Sequence, residues 1–191
     1  MRLFVALEIP AAVRDNLAAQ VAELRELSAK VGDKRPRWVR PENFHVTLKF
    51  IGEVAPTKLE GIRGALSAIR SDAPVEIKFR GLGFSPNEQH PHVLWTGLAA
   101  SANLPSLAGD IDGALERQGI ARERRAFTPH LTLGRIEPPG LHEKLRAVIQ
   151  KNGAREFGTF QTREFHLIES KLKPTGAEYT TLASYPFTLE A

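Results

Sequence analysis

The sequence predicts an α+β protein of two pseudo-symmetric lobes, with two β-sheets flanked by helices and sharing a central cleft. Three observations carry this expectation. Apolar residues switch repeatedly between a period of two and helical spacing. The pattern His-x-Thr-x occurs at His45 and again at His130, each time inside an alternating apolar segment. The strand–helix–strand–helix–strand order around the first copy also recurs around the second, over comparable lengths of chain (residues 4–45 and 93–130).

Leu3 to Ile9 reads as a strand ended by Pro10. From Ala11 to Val31 the residues Val13, Leu17, Val21, Leu24 and Val31 recur at helical spacing, and Gly32 sits where a C′ residue belongs. A basic, proline-containing stretch from Lys34 to Pro41 leads to Phe44–Phe50, where apolar residues alternate. Strict alternation sets His45 and Thr47 on one face and Phe44, Val46, Leu48 and Phe50 on the other. Thr57-Lys-Leu-Glu60 has a capping-box pattern opening a helix with Leu59, Ile62, Leu66 and Ile69 on one face. Val75 to Leu82 is the next strand.

The second half repeats this order. His92 to Leu98 is a strand, and Leu104, Leu107, Ile111 and Leu115 mark a helix closed near Gly119. The strand His130–Ile136 follows, then a short helix carrying Leu141, Leu145 and Val148 and closed near Gly153. Phe160–Ser170 and Tyr179–Phe187 read as closing strands, with Pro174-Thr-Gly176 as the turn between them. No Ser- or Gly-rich linker interrupts the chain. The expectation is a single domain over 1–191, with lobes near 1–88 and 89–191.

With 42% hydrophobic and 25% charged residues the chain has the composition of a soluble globular protein. It has no cysteine, which excludes disulfides, a cysteine nucleophile and Cys-based metal sites. No signal peptide and no apolar run of about 18 residues is evident, so a cytoplasmic location without membrane contact is expected. The net charge of +4 fits an anionic partner such as a nucleotide or RNA. Neither a cofactor nor an obligatory protein partner is called for, and a monomer is expected.

In each histidine strand an imidazole and a hydroxyl stand side by side, His45 with Thr47 and His130 with Thr132, over an apolar back. Histidine's ordinary pKa of about 6.5 allows one ring to be neutral and the other protonated near neutral pH. The neutral ring can take a proton from an attacking water while the other gives one to a leaving oxygen. Threonine hydroxyls can donate to the non-bridging oxygens of a phosphate. The arrangement suits phosphodiester cleavage without a metal.

Other residues weigh less. His90-Pro-His92 has metal-ligand spacing but no evident third ligand. His142 is expected on an exposed helix face, and His166, with no threonine two positions on, in core or edge packing. Gly81-Leu-Gly83 lacks the rest of a nucleotide-binding fingerprint. Lys34, Arg35, Arg37, Arg40, Arg122, Arg124 and Arg125 precede the two histidine strands, either as solvated loop charge or as a rim that draws in RNA. Trp38 and Phe127 could stack a base or pack in the core.

The chain resembles the two-histidine phosphoesterase superfamily, and within it the bacterial and archaeal RNA 2′,3′-cyclic phosphodiesterases, also known as 2′-5′ RNA ligases. The resemblance rests on Arg2–Leu7, Trp38-Val39, Asn43–Gly52, Val93–Gly97, Phe127–Arg135, Leu167–Leu172, Gly176 and Tyr179. It implies His45 as proton donor to the leaving group, His130 as the base, Thr47 and Thr132 as phosphate ligands, and Arg135 as a further phosphate contact. It also implies a substrate ending in a 2′,3′-cyclic phosphate, opened to a 2′-phosphomonoester, with 2′-5′ ligation as the reverse. The alternatives are a phosphodiesterase of small cyclic nucleotides or ADP-ribose cyclic phosphate, and a non-catalytic RNA-binding module.

Overall fold

The structure is a computed structural model that describes residues 1–33, 36–137, 140–174 and 176–187. Its elements are β1 (Arg2–Glu8), α1 (Ala11–Lys30), β2 (Pro36–Trp38), β3 (His45–Glu53), α2 (Leu59–Ser67), β4 (Val75–Ser85) and β5 (Val93–Ala100). They continue with α3 (Asn103–Glu116), β6 (His130–Ile136), α4 (Glu143–Lys151), β7 (Glu156–Thr162), β8 (Glu164–Lys173) and β9 (Gly176–Pro186). Two antiparallel sheets result, one in the order β3-β1-β8-β9 and one in the order β2-β6-β5-β4-β7. The fold is α+β, with a histidine strand in each sheet.

The sheets do not follow the lobe boundary expected near residue 88. β4 belongs to the second sheet, while β8 and β9 return to complete the first. The helices are exchanged in the same way. α2 packs on α3, which reaches β3, whereas α1 packs on α4, β2 and β7. The segment read as one strand, Phe160–Ser170, is two: the chain leaves β7 in one sheet and enters β8 in the other across Arg163. The three-residue strand β2 lies in the basic stretch, where its length and its proline hid it from a periodicity argument. Thr57 does not cap α2. A 3-10 turn over Pro56–Lys58 precedes that helix, and its N-cap position is Lys58, with no side-chain cap. The turn at Pro174-Thr-Gly176 includes Thr175, outside the described residues.

β1 shows how local pattern becomes packing. Leu3, Val5 and Leu7 enter the main core, while Phe4 and Ala6 on the other face join Ile168 and Tyr179 in a small second cluster. Both faces are therefore apolar, as a central strand requires, and each fully buried aliphatic side chain contributes roughly 1.5–3 kcal/mol. α1 buries Val13, Leu17, Val21 and Leu24. It ends where expected, with Gly32 at φ 69°, a conformation that glycine adopts without a Cβ penalty.

Candidate active site

Pairing between β1 and β3 runs Glu8↔His45, Leu7↔Val46 and Ala6↔Thr47, then slips to Val5↔Lys49 and Phe4↔Phe50. Leu48 has no partner: it is a β-bulge, an extra residue that reverses the in–out alternation beyond it. β6 does the same. Gly97↔His130 and Trp95↔Thr132 are followed by Leu94↔Gly134 and Val93↔Arg135, leaving Leu133 extra.

Each histidine strand therefore reads His-x-Thr, bulge, then inverted alternation. Two consequences follow for the residues singled out from sequence. Arg135, an odd number of positions from His130, would face away from it in a regular strand; the bulge returns it to the cleft. Phe50, expected on the apolar back of its strand, is instead 62% exposed and lines the cleft with its ring 6.3 Å from that of Phe4. Lys49 turns inward in exchange.

His45, Thr47, His130, Thr132 and Arg135 all line one cleft of about 530 Å³ between the sheets. The two rings are held by the same device. His45 Nδ1 lies 2.7 Å from the carbonyl oxygen of Asn43, and His130 Nδ1 lies 2.8 Å from that of Thr128. A carbonyl only accepts, so in each neutral ring Nδ1 carries the proton and Nε2 keeps its lone pair for chemistry. Asn43 is itself tied down, its side-chain amide donating to the Ala177 carbonyl at 2.9 Å.

The surroundings of the rings differ. His45 is partly buried, with the ring centroids of Phe4 and Tyr179 at 4.8 and 5.4 Å. Burial holds its imidazole below the ordinary value of 6.5; the Asn43 carbonyl opposes this, and the charge of His130 adds to the lowering. His130 is exposed, beside Trp95 at 6.4 Å. Burial pushes the Tyr179 hydroxyl up, against the opposing charges of Arg135 and Arg2. Both guanidiniums therefore project their field over the cleft.

Lys49 joins the two halves. Its ammonium, 5% exposed, pairs with Asp112 at 2.5 Å and donates to the Ala121 carbonyl at 2.7 Å. Asp112 also accepts from the Glu123 backbone N–H at 3.2 Å. Strand β3 thus anchors the loop that runs through Phe127 to His130. Nothing in the pattern marks Lys49 as inward-facing, because the bulge before it is not encoded by a glycine.

The remaining histidines lie elsewhere. His90 and His92 sit exposed in the β4–β5 connection. Among the described residues no three His, Asp or Glu side chains form a metal-binding group. His142 is not on a helix face: it is the N-cap of α4, its ring accepting from the Lys144 backbone N–H at 3.2 Å. His166 is buried, 3.1 Å from the Ser184 hydroxyl. Much of the basic set is already paired: Arg37 with Glu137, Arg40 with Glu42, Arg122 with Asp112 and Arg125 with Glu123. Glu123 is held at about 2 by Arg125. Lys34 and Arg35 lie outside the described residues. Trp38 packs against the main core, over Gly134, while Phe127 is half-buried at the cleft wall. No helix among the described residues is long and apolar enough to cross a membrane.

The family model for LigT-like phosphoesterases matches residues 7–95 and 98–179. An RNA 2′,3′-cyclic phosphodiesterase of Archaeoglobus fulgidus is 35% identical over 182 residues, covering 95% of this chain and 98% of the relative. One of Methanocaldococcus jannaschii is 35% identical over 185 residues, covering 97% and 100%. Among solved structures, TT0787 of Thermus thermophilus superposes with a TM-score of 0.82 at 27% identity over 100% of both chains. Escherichia coli LigT complexed with 3′-AMP superposes with a TM-score of 0.76 at 25% identity over 98% of both. With the family match spanning both histidine strands and these relatives covering 95% or more of its length, the chain belongs to the LigT-like phosphoesterase family.

Proposed function

We propose that the protein hydrolyses RNA 2′,3′-cyclic phosphate ends to 2′-phosphomonoesters through His45 and His130, without a metal. The observation that carries this reading is the pair of imidazoles in one cleft, each with Nδ1 fixed to a backbone carbonyl and Nε2 left for proton transfer. Water attacks phosphorus as its proton passes to Nε2 of His130. The P–O3′ bond breaks as Nε2 of protonated His45 gives its proton to O3′. Thr47 and Thr132 donate to the non-bridging oxygens, and Arg135 offsets their charge. With an RNA 5′-hydroxyl in place of water, the same two rings would let its oxygen attack the 2′,3′-cyclic phosphate as the P–O3′ bond breaks and O3′ is protonated, leaving a 2′-5′ phosphodiester, which is 2′-5′ ligation.

One observation favours a second assignment of roles. Burial and the charge of His130 favour neutral His45 before substrate binds, which by itself suits a base. A bound phosphate anion brings negative charge that opposes both effects and supports protonated His45 as donor. The pH profile of single variants separates the two: loss of the base removes the acid limb, and loss of the acid removes the alkaline limb.

The reading is tested by incubating an oligonucleotide ending in a 2′,3′-cyclic phosphate with the protein in excess EDTA. The expected product is the 2′-phosphomonoester. A 3′-phosphate would overturn the choice of leaving oxygen, and the absence of turnover until a metal is added would overturn the mechanism. A non-catalytic RNA-binding module would bind the oligonucleotide and release it unchanged. A mononucleotide turned over far better than the oligonucleotide would move the substrate to a small cyclic nucleotide.

A further inference from the structure

Three arginines line the cleft: Arg2, Arg125 and Arg135. A 2′,3′-cyclic phosphate carries a single negative charge, and the proposed chemistry already meets it with an imidazolium and Arg135. Arg2 belongs to the same end, since its charge and that of Arg135 both act on the Tyr179 hydroxyl. Arg125 is the cation left over. It comes from the loop between α3 and β6, which also brings Ala126, Phe127 and Thr128 to the cleft. An RNA end offers what a nucleoside 2′,3′-cyclic phosphate does not: a second anion, the phosphodiester on its 5′ oxygen.

The side chain of Arg125 is 86% exposed, so its ion pair with Glu123 contributes little to stability by itself. The pair is nevertheless built with care. Glu123 Oε1 accepts the backbone N–H groups of Arg124 and Arg125, each at 3.1 Å, together with Arg125 Nε–H at 3.2 Å. Its Oε2 accepts from Nη2 of the same guanidinium at 3.4 Å. Glu123 is anchored in turn, its backbone N–H donating to Asp112, which pairs with buried Lys49. The guanidinium thus meets the carboxylate through one edge, Nε and Nη2. Of its five N–H donors this leaves three, two on Nη1 and one on Nη2. That remaining edge is a fork that matches two phosphate oxygens. An arginine fixed before its ligand arrives loses less freedom on binding it.

We propose that Arg125 binds the phosphodiester on the 5′ side of the nucleotide that carries the cyclic phosphate, and so selects polynucleotide ends over mononucleotides. The inference rests on the phosphodiesterase reading and deepens it by naming the substrate class. With Arg135 on the reacting phosphate and Arg125 on the next, the ribose between them is fixed at both ends. A contact to the backbone sets position and is indifferent to base identity.

The test uses adenosine 2′,3′-cyclic phosphate and the dinucleotide ApA ending in the same cyclic group. A third substrate is that dinucleotide with an uncharged methylphosphonate in place of its internal phosphodiester. In the wild type, kcat/KM for the charged dinucleotide exceeds that for the methylphosphonate by roughly 10-fold, the effect of one hydrogen-bonded charge. In Arg125→Ala the two converge, and Arg125→Lys keeps part of the preference, as a charge without the fork. A wild type indifferent to the methylphosphonate overturns the proposal, as does an Arg125→Ala variant that keeps the preference. An equal fractional loss in Arg125→Ala on the mononucleotide and the charged dinucleotide also overturns it, leaving the residue as a staple of the loop before His130. If the wild type opens none of the three, the hydrolase reading fails. Calorimetry with the dinucleotide bearing a 2′-phosphate, charged or methylphosphonate, then still decides the role of Arg125. Tighter binding of the charged form that is lost in Arg125→Ala supports it, and equal affinity of the two forms in the wild type overturns it.

Discussion

In β3 the ring of His45 packs between Phe4 and Tyr179, whereas in β6 the ring of His130 is exposed beside Trp95. The covalent pattern is the same in both strands, and so is the backbone anchor at Nδ1. What separates the two rings is the company each keeps. Under the proposed mechanism the two identical groups do opposite jobs, one giving a proton and one taking it, which calls for environments that treat the charged imidazole differently. The same divergence appears further along the strands, where Lys49 and Phe50 of β3 correspond to Gly134 and Arg135 of β6.

Removing either imidazole breaks the comparison most severely. His45→Ala and His130→Ala should each lower kcat/KM for a cyclic phosphate by about 10²- to 10⁴-fold. Steady-state kinetics on the double variant should lose little more than the worse single variant, because a coupled pair fails as a unit. A double variant whose losses multiply would mean that the rings act independently.

Lys49→Met should come next, as an effect on stability. It leaves Asp112 only 14% exposed with one of its two cations gone, and breaking such a pair costs about 3–5 kcal/mol. Urea unfolding would report this as a lower midpoint; a midpoint within error of wild type would show that the loop holds without Lys49. Arg135→Ala should lower kcat/KM by roughly 10- to 100-fold, the loss of one hydrogen-bonded charge on the phosphate. Arg135→Lys should recover part of it.

The smallest effect sharpens the electrostatics. His130→Asn removes a neighbouring positive charge, so the His45 titration followed by NMR should move upward, toward 6.5. The sign for stability follows from the same lowering. Between the depressed value of folded His45 and about 6.5, the unfolded chain binds more protons. The stability due to His45 is therefore complete above about 6.5 and is lost as pH falls through its folded value. A His45 titration that moves downward in His130→Asn would contradict this account.

Much of the site was legible because it rests on short-range rules. Two His-x-Thr strands present imidazole and hydroxyl on one face by simple alternation, and the structure keeps both pairs in the cleft. The exchange of Lys49 and Phe50 was not legible. It depends on one extra residue, Leu48, whose side chain is as ordinary for a regular strand as for a bulged one. The fold class could be read from periodicity, but not the crossing of β8 and β9 into the first sheet. Pairing partners are chosen by tertiary packing, and nothing local at Arg163 announces a change of sheet. Thr57 offered a cap by pattern, and the proline before it made a 3-10 turn instead.

The place of β1 sets an order of assembly. It lies between β3 and β8, its Arg2 paired with Glu53 on one side and with Ser170 on the other. During synthesis the sheet bearing His130 has all its strands once Thr162 is made, but the sheet bearing His45 waits for β8 and β9. Contacts so distant in sequence form late and slowly. His130 is thus housed before His45, and a chain stopped after β7 would hold one ring of the pair without the other.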